Sequence, residues 1–284
     1  MIRRASRARL PIALLLFVPA VHAACTERRH EAGAALDAAS PPDVASSADS
    51  ASPAEGGSQG ESDPEALSPF ANAEAGSVPV LGVPRTAAAI HPSDHFDVKV
   101  WGRAANTRTL LDAEGRGAVP VSEARFLWGD GRLYVHFYAG DLDLQVRAAE
   151  HDGPVWKDDS VVLTFFPSDR TKRIIQISPK GVVADGACPI DAKDLSDSRC
   201  DRKWESGAEV AADHDGTINQ VDDFDEEWAV EAAIPLAPLS LADAGAGTRF
   251  RFRVSRCEVA YDGVHACGSW GDSRRGGILV LEDH

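Results

Sequence analysis

Period-two alternation of apolar residues governs the C-terminal part of this chain and most narrows what it can fold into. In Arg132–Tyr138, Leu133, Val135 and Phe137 alternate with Tyr134, His136 and Tyr138. In Arg249–Arg256, Phe250, Phe252 and Val254 alternate with Arg249, Arg251, Arg253 and Ser255. Trp228, Val230, Ala232 and Ile234 form a third such row. Side chains of a strand alternate between its two faces, so each row marks one buried face of a sheet. Ser160–Phe166 is apolar on both faces, and Ile174–Ile177 and Gly277–Leu281 add two short apolar runs. Gly129-Asp130-Gly131, Asp185-Gly186 and Asp262-Gly263 punctuate the rows as turns. Short strands with no helical period between them predict an all-β fold, a β-sandwich.

The chain before Leu81 is of another kind. Arg3, Arg4, Arg7 and Arg9 precede an apolar core, Leu10–Ala20, and then the small residues Ala23 and Ala24. Basic, apolar, small is the order of a cleaved export signal. The core is shorter than the roughly 20 residues a membrane-spanning helix needs. Val21-His22-Ala23 resembles an ordinary cleavage site. Ala23-Ala24-Cys25 resembles the end of a lipobox, although His22 stands where an aliphatic residue is usual. The stretch after it is rich in Ala, Ser, Pro, Glu, Asp and Gly, with few large apolar residues. It cannot bury enough surface to offset the entropy of ordering. The expected organisation is a signal peptide over 1–24, a disordered linker over 25–80 and one β-domain over 81–284.

The cysteines bear on export. There are five: Cys25, Cys188, Cys200, Cys257 and Cys267. In an oxidising compartment disulfides are the default for the last four. Three pairings exist on paper, and the sequence-local one, Cys188–Cys200 with Cys257–Cys267, is preferred here. That leaves Cys25 over, and lipidation gives it a role. A zinc site competes, but the spacings contain no C-x-x-C and no matching His pair.

A net charge of −15 argues against nucleic acid and against an anionic membrane surface, since both need a basic face. Membrane attachment is therefore expected only through a lipid at Cys25, with the chain acting as a monomer. Neutral sugars and cations remain compatible. Asp213-His214-Asp215 and Asp222-Asp223-Phe224-Asp225 bracket a Gly-Thr-Ile-Asn turn. Clustered loop carboxylates suit a hard cation, so Asp213, Asp215 and Asp222 are candidate calcium ligands, with a solvated acidic turn as the competing reading. Arg249, Arg251 and Arg253 should share one sheet face, either wet or serving as a polar floor for a ligand. Gln176 and Tyr138 are further candidates of this kind. Catalysis has no motif behind it. Asp158 and Asp159 are adjacent on an extended segment and point to opposite faces, so they do not form an acid/base pair.

Four segments carry a resemblance. They are Ala124–Trp128 with Leu133–Phe137, the W-x-D-D-S-V stretch Trp156–Val161, Gly216–Asn219 with Trp228–Pro235, and Gly268-Ser269-Trp270 with the terminal strand. In order and spacing they resemble the family 9 carbohydrate-binding modules and their stand-alone relatives, across the whole C-terminal domain and none of the linker. The resemblance implies a β-sandwich that binds sugar ends between two tryptophans, often beside structural calcium, in support of polysaccharide breakdown. By position Trp156 and Trp270 match that pair, and an oligo- or polysaccharide is the implied partner. The residues allow it on their own terms: a flat indole stacks on a sugar's C–H face while polar groups bond its hydroxyl edge. Trp156 shares strand parity with Asp158, Ser160 and Val162, so Asp158 would stand beside it. Trp270 lies in a Gly-rich, charged stretch and is expected to be exposed. Trp101, Trp128 and Trp228 are expected in the core. Val162 departs from the pattern, because the family carries a glutamate there and valine accepts no hydroxyl.

Two other readings compete. Related sandwiches bind b-type haem, whose axial ligation wants Met, His or Lys. The only methionine is Met1, which leaves His136 as the candidate. The third reading is an interaction lipoprotein that uses the fold without a sugar, and Val162 favours it.

Overall fold

The structure, a computed structural model, describes residues 78–93, 99–117, 120–221, 223–259 and 265–284. The signal segment, Cys25 and nearly all of the expected linker lie outside these residues, as does Asp222. The described part belongs to one unit, Glu65–His284.

Among the described residues, twelve strands make two sheets. In chain order they are β1 (Val80–Val83), β2 (Ala105–Asn106), β3 (Ser122–Gly129), β4 (Arg132–Gly140), β5 (Ser160–Phe166) and β6 (Thr171–Ile177). Then come β7 (Val183–Pro189), β8 (Glu209–Asp215), β9 (Glu227–Pro235), β10 (Arg249–Val259), β11 (His265–Trp270) and β12 (Gly277–Leu281). One sheet runs β1-β12-β10-β5-β6-β7, with β11 also paired to β10. The other runs β2-β3-β4-β9-β8. Every pairing is antiparallel except β1 with β12. The expected all-β sandwich is therefore the fold observed.

The alternation read from the sequence becomes the core. Phe252 and Val254 of β10 lie in register with Phe165 and Leu163 of β5, and all four are buried. On the facing sheet Phe126, Val135, Phe137, Trp228 and Val230 are buried in the same cluster. Phe126 meets Phe252 edge-on at 5.4 Å, and Phe137 packs on Trp228 at 5.0 Å. Such aromatic contacts add to the burial of ring area that drives closure. The β3–β4 hairpin closes through Asp130 and Gly131, both at positive φ, 49° and 69°. That pair of left-handed residues matches the twist of the flanking strands.

Each sheet's outer face is partly covered. Trp101, Leu127, Tyr134 and Ala233 form a small cluster outside the β3-β4-β9 sheet. Outside the other sheet, Val155, Ile174, Ala184, Cys188, Ala192 and Leu195 form a second cluster. There the loop from Ile190 to Cys200 is fastened to β7 by the Cys188–Cys200 disulfide. Cys257–Cys267 joins β10 to β11, so both sequence-local pairs are present. No helix among the described residues is long and apolar enough to cross a membrane.

Candidate functional site

The outer face of the β10-β5-β6 region carries the candidate site. Register places Ser269, Ser255, Val162 and Gln176 in one row across β11, β10, β5 and β6. The next row holds Arg253, Thr164 and Ile174. Their strand partners alternate into the core, so these side chains share the opposite face. Hydrogen bonds link the polar members. Gln176 Nε2 donates to Ser160 Oγ at 2.8 Å, Arg253 Nη2 donates to Ser269 Oγ at 2.6 Å, and Ser255 Oγ lies 3.0 Å from Ser269 Oγ. Gln176 is 3% exposed, yet its Oε1 has no partner. Burial lowers the pKa of Arg253 from its usual value, and that of Lys172 falls through burial and then the nearby Arg253 charge. Lys172 Nζ donates to the Ala192 carbonyl.

Trp156 stands at this face. It belongs with Val162 and Ile174 to the second apolar cluster and is half-buried. It sits in a 3-10 turn, Val155–Lys157, entered through Pro154, and not on the strand the parity argument assumed. The Arg202 guanidinium lies 4.8 Å from the indole centroid and takes one of its faces. Arg202 Nη2 also donates to the Asp152 carbonyl, which ties the turn to the segment after the Cys188–Cys200 disulfide.

Trp270 is elsewhere. It ends β11 in register with Val254 and is 6% exposed within the main core. Its neighbour Ser269 takes the outer face instead. The expectation of an exposed loop tryptophan is corrected: the Gly-rich stretch continues as a strand, and its glycines make room for the ring. A Cβ on Gly277 would come within 2.6 Å of Trp270 Cη2. The two tryptophans thus occupy opposite sides of one sheet and do not face each other across a cleft.

Asp158 is also placed differently. Its oxygens accept the Arg147 and Ala148 backbone N–H groups at 2.9 and 2.8 Å. Asp159 accepts Gln145 N at 2.6 Å and Val259 N at 2.7 Å. Both carboxylates pin the segment after β4, and Asp158 is buried, so it acts as a backbone acceptor and is not turned toward a ligand. Burial raises the pKa of each. That of Asp159 reaches about 8, burial acting first and the Asp141 charge second.

The acidic turn does not assemble a calcium site among the described residues. Asp213 and Asp215 lie exposed on β8, and neither joins a group of three ligand-bearing side chains. The buried carboxylates nearby are otherwise engaged. Asp225 accepts Leu144 N and Thr217 N, and Asp141 pairs with Arg256. Asp222, the third candidate ligand, lies outside the described residues.

His136, the candidate haem ligand, is buried on the outer face of β4 with its ring 5.4 Å from that of Trp101. Burial, and then the Arg125 charge, pulls its pKa down to about 4. Tyr138 lies on the same face, and its hydroxyl is pushed up to about 12 chiefly by a hydrogen bond with Glu227. Sequence reasoning missed Ser255, Ser269 and Lys172. The serines could have been found from the β10 alternation, because Ser255 continues the Arg249–Arg253 parity.

No protein-family model matches the chain, and no curated protein does. Solved structures do. A proposed carbohydrate-binding protein of Bacteroides uniformis is similar at TM-score 0.53 and 12% identity, over 72% of this chain and 99% of that one. A family 9 carbohydrate-binding module of Caldicellulosiruptor kristjanssonii, solved with cellotriose, matches at TM-score 0.47 and 13% identity, over 72% of this chain and 94% of that one. Its structure with glucose matches at TM-score 0.47 and 14% identity, over 72% and 96%. At 12% identity the likeness to the Bacteroides uniformis structure shows the fold alone.

Proposed function

We propose that this chain is a non-catalytic carbohydrate-binding module, exported by its N-terminal signal and lipidated at Cys25. The linker gives the domain reach from the anchor, as a chain rich in small and polar residues would. The sugar would lie on the outer face of β10-β5-β6, with Trp156 as its stacking surface and Gln176, Arg253, Ser255 and Ser269 as its polar contacts. One observation carries the reading: Gln176 presents a buried carbonyl oxygen with no partner on this face. A buried acceptor left unmade costs about 1–3 kcal/mol, and a hydroxyl donor supplied by a ligand would recover it. Val162 at the centre of the row offers a C–H surface and no acceptor, so orientation would rest on Gln176 and Arg253. With Trp270 in the core, the sugar would stack on one indole and not between two.

Glycan-array screening followed by calorimetry tests this. Binding of a neutral oligosaccharide by the wild type, weakened in both Trp156→Ala and Gln176→Leu, is the expected result. Binding that persists unchanged in both variants, or no sugar bound at all, removes the proposal.

A further inference from the structure

A second cluster lies apart from the sugar face, at the β7 edge. Asp152 follows the segment after β4 and is held against β7, its N–H donating to the Val183 carbonyl at 2.9 Å. That contact brings His151 and Asp152 to Asp185 of β7, and one ligand atom from each of the three falls within 4.8 Å of the others. His151 Nε2 lies 3.9 Å from Asp152 Oδ2 and 3.1 Å from Glu205 Oε2, which approaches from the solvent side. Ligand atoms around a tetrahedral zinc ion, bonded at roughly 2.0–2.2 Å, stand about 3.3 Å apart, so modest side-chain closure would suffice.

Asp185 makes the cluster more than a group of surface acids. It is 1% exposed. Its Oδ2 accepts both Ser206 N at 2.9 Å and Ser206 Oγ at 2.5 Å, while its Oδ1 has no partner. The Asp185 N–H donates to Asp152 Oδ1 at 3.3 Å, which sets the two carboxylates side by side. A buried anion without a counter-charge is costly. A cation satisfies the oxygen and the surrounding Asp152 and Glu205 charges together. The basic neighbour, Arg202, donates Nη2 to the Asp152 carbonyl and lies over the Trp156 ring, while its Nε has no partner.

We infer that His151, Asp152 and Asp185 form a binding site for a divalent cation of the zinc class, with Glu205 as a fourth, outer ligand. The imidazole selects against calcium and magnesium, which prefer all-oxygen shells, and the carboxylates select against soft ions. Bound there, the ion would clamp the loop that leads into Trp156 onto the edge of β7.

The test is calorimetric titration of the intact chain with zinc alone, and with calcium alone, for wild type, Asp185→Asn and His151→Ala. Cobalt(II) absorption serves as a second readout of the donor set. The expected result is zinc binding in the wild type, weakened in each variant by more than the roughly 10–100-fold that loss of an outer-shell partner costs. Cobalt bands should be present in the wild type and altered in His151→Ala. Asp185→Asn keeps the acceptor for Ser206. Should it nonetheless fail to fold, the exposed His151→Ala decides alone. Equal zinc binding in wild type and His151→Ala, no zinc binding in the wild type, or calcium bound in preference to zinc each overturns the assignment.

Discussion

Arg256 Nη2 stands 2.9 Å from Asp141 Oδ2, with the two side chains 3% and 0% exposed. The same Asp141 oxygen accepts Trp228 Nε1 at 3.0 Å, so the pair joins β10 of one sheet to β9 of the other. Arg256 also reaches Glu258 at 3.1 Å. Removing one member of a buried pair strands the other's charge, which costs about 3–5 kcal/mol, whereas replacing both with apolar groups is often near neutral. Asp141→Asn and Arg256→Met should each lower the free energy of unfolding by that order, read from denaturant titration. Asp141→Leu combined with Arg256→Met should recover most of the loss. Equal losses in single and double variants would show that the ion pair is not what holds the sheets there.

Stability should fall as pH rises through neutrality. The Asp159 carboxyl has a folded pKa of about 8 against an ordinary value of 3.8. The native state therefore holds a proton that the unfolded chain releases. Its stabilisation is full below the ordinary carboxylate value and lost as pH climbs to about 8. His136 works in the opposite direction: its folded pKa of about 4 means its contribution is present above 6.5 and lost as pH falls toward 4. Between pH 6.5 and 8 only the Asp159 trend remains of these two. Urea denaturation of the wild type across that interval should show declining stability, and the slope should flatten in Asp159→Asn. An unchanged slope in the variant would assign it to another group.

Each disulfide should contribute about 3 kcal/mol, the order expected for loops near 15 residues; here the separations are 12 and 10. Paired Cys→Ser replacements measured by thermal unfolding check this. They should differ in one respect. Opening Cys188–Cys200 frees the segment that carries Arg202 to Trp156, so it should weaken sugar binding as well as stability.

The sequence disclosed the fold through local rows. Phe250, Phe252 and Val254 against Arg249, Arg251 and Arg253 suffice to place β10 with one face inside, because a strand's two faces are set by adjacent residues alone. Arg253 follows from that parity. What stayed hidden depends on partners distant in the chain. Trp270 has Gly, Ser and Asp as sequence neighbours, and its apolar surroundings come from β10 and β12. Asp158 reads as a ligand group until the Arg147 and Ala148 N–H groups are seen to occupy it. His151 and Asp152 meet Asp185 through the pairing of Asp152 with Val183 and with the Asp185 N–H.

The two tryptophans of the resemblance should part company under mutation. Trp270 is packed in the core beside Val254 and over Gly277, so Trp270→Ala removes a large buried ring from a site its glycine neighbour cannot refill. The cost should be about 3–5 kcal/mol, read as a fall in midpoint. Any sugar affinity left in the folded fraction should be close to wild type, since the ring lies on the inner side of the sheet. Trp156 is half-buried, and its specific contact is the cation–π approach of Arg202, worth about 1 kcal/mol. Trp156→Ala should therefore lower the midpoint less than Trp270→Ala does while strongly weakening binding. Trp156→Phe, which keeps a smaller aromatic face, should retain part of it. Calorimetry and unfolding on the same preparations separate the two roles, and affinity lost in Trp270→Ala but kept in Trp156→Ala would move the binding surface away from β10-β5-β6.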